Sequence, residues 1–236
     1  ALVTISSVRV GAEDWPMYRR DRSRSAVTGE KLELPLKNVW YFRSRLARLA
    51  PKYLPLRPEE TKKFGSSQQE VLPEHARFSL PIIAAGGSVY FTSHDGRAVC
   101  LDARTGQKRW EFLAGAAITC APNYADGKIY VGSDDAHLYC LDAQTGRQVW
   151  KHKPVAADRW FLSFGRMSSI WPVRTDVLVD GGSAYFGAGV FPHDGMYVNA
   201  IDAKYGKRLW RSVCYGYGFA GHLFASKSSL VLPTEL

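Results

Sequence analysis

A ten-residue phrase recurs three times in this chain: LDARTGQKRW at 101–110, LDAQTGRQVW at 141–150 and IDAKYGKRLW at 201–210. A unit that repeats at a period of about forty residues cannot bury its apolar face alone, so successive units must stack into one continuous core. That single feature restricts the architecture more than any individual residue does.

Between the phrases lie period-two runs rich in β-branched and aromatic residues: SVYFT at 88–92, KIYVG at 128–132 and SAYFG at 183–187. Each follows Gly86-Gly87, Asp126-Gly127 or Gly181-Gly182, which supply the positive φ of a tight hairpin. Taking the second repeat as the pattern, the spacing predicts strand A over Ile118–Tyr124, B over Lys128–Ser133, C over His137–Leu141 and D over Arg147–His152. In the C-to-D turn, Asp142 can accept backbone N–H bonds while Gly146 takes the left-handed position. The closing Trp suits a place between adjacent sheets, with its N–H reaching an acceptor.

Four-stranded antiparallel units at this period are β-propeller blades. The residues also carry a family resemblance. A Leu-Asp-Ala-x-Thr-Gly-x-x-x-Trp phrase after a Gly-x-Val-Tyr strand resembles the repeat of PQQ-like propellers, the quinoprotein-type dehydrogenases and BamB-like assembly lipoproteins among them. The likeness covers residues 78–236, and Leu36–Trp40 resembles a lone strand D. The lead-in Asp14-Trp-Pro-Met-Tyr-Arg19 is similar to that of large bacterial extracytoplasmic proteins built from such repeats.

The expected organisation is an all-β chain: a lead-in over 1–35, then a partial PQQ-like propeller over 36–236. Its blades fall at 78–112, 117–152 and 172–212, a further blade starts at 222–236, and a basic insertion occupies 41–77. Propellers close with roughly four to eight blades, and the resemblance implies about seven or eight. The chain therefore reads as a portion of a ring. Leu36–Trp40 could instead close a small ring with the C-terminal strands, but that last blade lacks a strand C. A part-ring leaves unpaired edges, so the remaining blades or a protein partner are expected.

Composition excludes several classes. The 236 residues are 46% hydrophobic, with no apolar run approaching the roughly 18 residues of a membrane helix. No nucleic-acid motif is present. Residues 1–12 read equally as the tail of a secretory signal or as a short β-strand. Cys100, Cys120, Cys140 and Cys214 form no CxxC or CxxCH. His75, His94, His137, His152, His193 and His222 show no HxH or HExxH spacing, so no metal site is expected.

In an up-and-down blade, the A–B and C–D turns lie on one face of the disc, with the B–C turns and blade-to-blade crossings on the other. The first face carries only short turns. The second carries the insertions Tyr41–Arg77, Lys153–Trp171, Ala188–Gly195 and Val213–Gly221. Long loops on a rigid scaffold are where function concentrates. Segment 41–77 holds eight Lys/Arg against four Glu, and 151–174 holds five against Asp158, together +8 of the net +9. Such one-sided charge suggests an anionic partner or simply a solvated rim. Within 41–77, residues 43–50 could form a short helix docked by Leu46 and Leu49. The candidate pocket is the axial mouth of this face, with Arg166 and Arg174 as forks for carboxylate or phosphate and Trp171, Tyr215, Tyr217 and His222 as its walls.

The resemblance implies two functional classes. One is a non-enzymatic binding and assembly module, periplasmic or otherwise extracytoplasmic, within a larger protein or complex. The other is a piece of a quinoprotein-like oxidoreductase or haem-linked electron-transfer protein, with PQQ and calcium as cofactors. For the latter the family leads one to expect a vicinal cysteine pair, absent here, a Trp beneath the quinone (Trp160 or Trp171) and a carboxylate base (Asp158 or Asp176).

Overall fold

Gly-bearing turns set where the chain reverses, and the repeated phrases close each sheet. The computed structural model describes residues 13–29, 31, 39–42, 82–163, 165–216, 218–219, 222–226, 229–232 and 234–235. The first four-stranded antiparallel sheet joins β1 (Ile83–Ala85), β2 (Ser88–Thr92), β3 (Arg97–Asp102) and β4 (Lys108–Leu113) in that order. The second joins β5 (Asn123–Ala125), β6 (Lys128–Gly132), β7 (Leu138–Asp142) and β8 (Gln148–His152). A hairpin of β9 (Trp160–Ser163) and β10 (Arg166–Ser169) precedes the third sheet, β11 (Leu178–Asp180), β12 (Ser183–Ala188), β13 (Met196–Asp202) and β14 (Arg208–Cys214). Beyond it, β15 (Gly218–Phe219) pairs with β18 (Thr234–Glu235), and β16 (Phe224–Ser226) with β17 (Ser229–Val231). The architecture is that of propeller blades, and the one helical element among the described residues is a 3-10 turn at Pro192–Asp194. Among the described residues no helix is long and apolar enough to cross a membrane.

Local chemistry explains these turns. The A–B turns hold Gly86-Gly87, Asp126-Gly127 and Gly181-Gly182, every residue at positive φ, as a two-residue hairpin turn matching the strand twist requires. In each C–D turn one Asp side chain binds the backbone. Oδ1 of Asp102, Asp142 and Asp202 accepts the N–H groups two and three residues on, at 2.7–3.2 Å. Thr105 and Thr145 add a hydroxyl bond to the same oxygen.

The sheets stack through tryptophan. Each closing Trp lies on the turn glycine of the following sheet: Trp40 on Gly106, Trp110 on Gly146, and Trp150 on Gly206. A Cβ on these glycines would sit 2.6–2.7 Å from the indole. The ring N–H groups of Trp40 and Trp110 donate to the carbonyls of Ala103 (3.0 Å) and Ala143 (2.9 Å). Trp40 thus takes the position expected of an outgoing strand-D tryptophan, while residues 36–38 lie outside the described residues. The proposed helix at 43–50 and nearly all of the 41–77 insertion lie outside them too.

Two features depart from the sequence reading. Strand A of the second repeat starts at Asn123 rather than Ile118, because Pro122 has no N–H to give a ladder. The carbonyls of Ala117 and Cys120 are also taken, by the Asp134 N–H and the Thr92 hydroxyl. The lead-in is a strap across the innermost strands. Trp15 pairs with Ala84 of β1, the Pro16 carbonyl accepts the N–H of Tyr124 of β5 at 2.7 Å, and Arg22 pairs with Asp180 of β11 at 2.7 Å. The Arg22 carbonyl then accepts the N–H of Ala225 of β16 at 2.9 Å.

The seam between the second and third sheets is the least regular. Tyr130 Oη donates to the Ala203 carbonyl at 3.0 Å, and among the described residues the buried Trp150 Nε1 has no hydrogen-bond partner. His152 Nδ1 meets the Gly206 carbonyl at 3.0 Å, while its buried Nε2 has no partner among the described residues.

Two outcomes follow from this packing. Gly127 and Gly146 share φ near +70°, but only Gly146 lies against an indole. Gly127→Ala is expected to cost about 1 kcal/mol from backbone strain alone, and Gly146→Ala about 3 kcal/mol or more from strain plus overpacking. Equal shifts in urea midpoint would refute the packing argument. Burial holds the His152 imidazole below its ordinary value of 6.5, the Gly206 carbonyl only partly opposing this. The unfolded chain therefore binds this proton first as pH drops, so stability falls from about pH 6.5 down toward the lower folded value. His152→Gln should flatten that part of a urea-midpoint profile between pH 7 and 5.

Candidate functional site

Pro172 and Thr175 anchor the crossing segment Trp171–Asp176, which leads from the β9–β10 hairpin into β11. Gly189 N–H donates to the Pro172 carbonyl at 3.0 Å, and Gly187 N–H to Thr175 Oγ1 at 2.7 Å. Val173 is fully buried over Gly132, where a Cβ would lie 2.5 Å from Val173 Cγ1. The segment is thereby fixed across the second and third sheets.

Arg174 closes a fork on Asp134, Nε to Oδ1 at 2.9 Å and Nη2 to Oδ2 at 2.7 Å, with Ser168 Oγ at 3.4 Å. Burial opposes its charge, but the Asp134 carboxylate outweighs that and holds the guanidinium above its ordinary value. The adjacent Asp135 accepts from Gly115 N–H (2.9 Å), His137 N–H (3.0 Å) and Tyr139 Oη (2.5 Å). Burial would raise this carboxyl, yet the His137 and Tyr139 contacts bring it below its usual range. Tyr139 is pushed up by burial and by that carboxylate.

A second cluster surrounds Asp176. Its Oδ1 accepts the Ala121 N–H at 3.1 Å and its Oδ2 meets His222 Nδ1. The His222 ring stacks on Tyr18 of the strap at 3.8 Å. Arg24 donates to the carbonyls of Leu223 (2.9 Å) and Tyr18 (2.7 Å), and its Nη2 lies 3.8 Å from Asp176. Burial pulls this guanidinium below its ordinary value, which the Asp176 charge offsets only in part.

The sequence candidates divide between these places. Arg166 and Arg174 flank Ser168 on the hairpin side, where Arg166 Nη1 donates to the His94 carbonyl at 2.5 Å. Trp171 is buried among Val155, Ile170, Phe161, Phe191 and Tyr197, with its N–H on the Asp194 carbonyl at 3.1 Å. His222 belongs to the Asp176 cluster. Tyr215 is 63% exposed and belongs to neither cluster, and Tyr217 lies outside the described residues. The basic segment is largely matched within the chain, with Lys153 on Asp158, Arg159 on Asp194 at 2.6 Å and Arg174 on Asp134.

Sequence reading missed the hairpin, the Asp134 and Asp135 networks, and Arg24 with Tyr18. The hairpin had a signal: the two residues Phe164-Gly165 separate Trp160–Ser163 from Arg166–Ser169, and Gly165 has φ +76°. Leu162 and Met167 face one another across it, 71% and 55% exposed, and Trp160 shares their face at 44%. Arg24 had no signal, because its Leu223 and Asp176 partners lie far along the chain.

Breaking the Arg174 fork leaves Asp134 buried without its counter-charge. Arg174→Ala is expected to cost about 2–4 kcal/mol, and Asp134→Asn with Arg174→Ala distinctly less than the sum of the two single changes. Additive urea-denaturation energies would show that the fork does not couple the sheets.

Comparison with known proteins agrees with the sheet architecture. Quinohemoprotein alcohol dehydrogenase from Comamonas testosteroni is similar at 19% identity and TM-score 0.56, over 85% of this chain and 27% of that one. BamB from Moraxella catarrhalis is 20% identical over 63% of this chain and 40% of that one, TM-score 0.48. Quinohemoprotein alcohol dehydrogenase ADHIIG from Pseudomonas putida HK5 is 24% identical over 57% and 20%, TM-score 0.47. The chain thus spans less than half the length of these structures, and at such identities the likeness is one of fold. No curated protein sequence matches the chain significantly. The model of a PQQ-type repeat family, described as outer membrane protein assembly factor BamB, matches residues 61–214. That match takes in more than half of the chain, three copies of the phrase and the crossing segment, and the chain belongs to this BamB family of PQQ-like propellers.

Proposed function

We propose that this chain is a non-enzymatic, extracytoplasmic propeller module that binds protein within a larger protein or complex, through the face carrying the β9–β10 hairpin. The observation that carries the reading is the exposed apolar face of Trp160, Leu162 and Met167, set beside polar groups that are engaged internally. Exposed aromatic and aliphatic side chains on a rigid scaffold suit protein recognition, and side chains locked in internal ion pairs suit a scaffold rather than a reacting centre. Family membership supports an assembly role, and a periplasmic location goes with it as part of the proposal.

Trp171 and Asp176 do not fit a quinone–calcium site. The sequence has no adjacent cysteines. Trp171 is enclosed by Phe161, Phe191 and Tyr197 and so offers no open ring face. Asp176 is held by Ala121 and His222. Among the described residues no group of three or more His, Cys, Asp or Glu could hold a metal ion.

A photoreactive amino acid at Leu162, in cells making the full chain, should give one discrete adduct with a cell-envelope protein, and Met167→Glu should abolish it. Added PQQ and calcium should give neither quinone absorbance nor dye reduction with alcohols or sugars. Dye reduction that depends on PQQ would overturn the non-enzymatic reading, and an adduct indifferent to Met167→Glu would overturn the hairpin as the docking face.

A further inference from the structure

We infer that the seam between the second and third sheets binds one water molecule, held between His152 Nε2 and Asn199 Oδ1. Neither residue belongs to the exposed hairpin face, although His152 ends β8, the strand from which that insertion departs.

The repeat places the two side chains against each other. Counted from the phrase, His152 takes the position of Phe112, two residues after the closing Trp, and Asn199 that of Tyr139, three residues before the turn Asp. In the seam between the first and second sheets those positions meet as rings, Phe112 and Tyr139 at 5.2 Å. In the next seam the His152 ring lies 6.2 Å from Phe186, and Phe186 is the cross-strand partner of Asn199. Cross-strand partners project from the same face of a sheet, and Phe186 packs in the core of this seam together with Ile201, two residues on from Asn199. A ring pair in one seam is thus replaced in the next by an imidazole and an amide. Because an indole–glycine contact spaces both seams alike, the smaller pair leaves room for a water.

A carbonyl orients each side chain and leaves a lone pair facing inward. The Gly206 carbonyl, 3.0 Å from His152 Nδ1, needs a donor, so Nδ1 carries the proton and Nε2 the lone pair. The Tyr197 carbonyl accepts from Asn199 Nδ2 at 3.2 Å, which fixes the amide with Oδ1 on the other side. Both remaining atoms are acceptors, and both are buried with no partner among the described residues. Two acceptors cannot bond each other, whereas the two O–H groups of a water satisfy both. The alternative bridge is a proton on Nε2, which would donate directly to Oδ1. Burial disfavours that charge, and Arg208 on β14 and His137 just before β7 oppose it further. Arg211, the cross-strand partner of Asn199, is turned to the Pro154 carbonyl at 2.8 Å and to the Tyr197 ring.

The test is NMR of the isotope-labelled full chain at pH 7. Long-range proton–nitrogen correlations should show His152 neutral with its proton on Nδ1, and NOE and ROE spectra should show cross-peaks of opposite sign between its ring protons and a long-lived water. Asn199→Leu, which removes one acceptor, should abolish those cross-peaks. Asn199→Asp should raise the His152 titration midpoint by about one pH unit or more, because a carboxylate then faces Nε2. A proton on Nε2 at pH 7, or no water cross-peak from the folded wild-type chain, would overturn the inference. So would cross-peaks that persist in Asn199→Leu or a midpoint unmoved in Asn199→Asp, since either shows that the amide does not face the imidazole.

Discussion

Contact between an indole and a glycine of the next turn is the interaction on which the stack depends. It joins two requirements at one residue, since the glycine must adopt a left-handed φ to close the C–D turn and must lack a Cβ to admit the ring. The Asp side chain holds the turn by accepting its N–H groups, and the indole N–H of Trp40 or Trp110 fixes the alanine carbonyl one residue after that Asp. Turn, sheet end and sheet-to-sheet spacing are therefore set by a few residues of one phrase. This is why the phrase recurs while the strands between vary.

The same concentration explains what the sequence made legible. Asp102, Gly106 and Trp110 act within a turn or between neighbouring repeats, so period and turn chemistry reveal them. The strap does not work that way. Trp15, Pro16 and Arg22 act largely through backbone groups or single ion pairs with strands far along the chain, and no local pattern encodes such partners. For the site, Arg166, Trp171 and Arg174 stand out in the sequence as basic and aromatic residues on an insertion. Their engagement with His94, Asp194 and Asp134 depends on how neighbouring blades face one another, and spacing alone does not carry that information.

Where the phrase weakens, other contacts take over. The third copy has Tyr205 in place of threonine, so Asp202 has only the two backbone N–H donors of that turn. At the same seam Trp150 Nε1 and His152 Nε2 are buried without partners among the described residues, an unmet buried polar group costing about 1–3 kcal/mol. On the other edge of this seam the crossing segment is densely bonded. Ser169 N–H donates to the Asp134 carbonyl at 2.8 Å, Val173 N–H to the Ser133 carbonyl at 3.0 Å, and the Arg174 fork closes on the Asp134 carboxylate. The insertion thus compensates for a weakened repeat contact while carrying the exposed hairpin.

The strap adds direction to this arrangement. By joining the innermost strands β1, β5, β11 and β16 in succession, it ties the blades together around their axis. It also places Tyr18 and Arg24 against His222 and Asp176, so the inner ends of the third and fourth units are held by charged and stacked groups. Outside these contacts the β9–β10 hairpin keeps Trp160, Leu162 and Met167 exposed on one face.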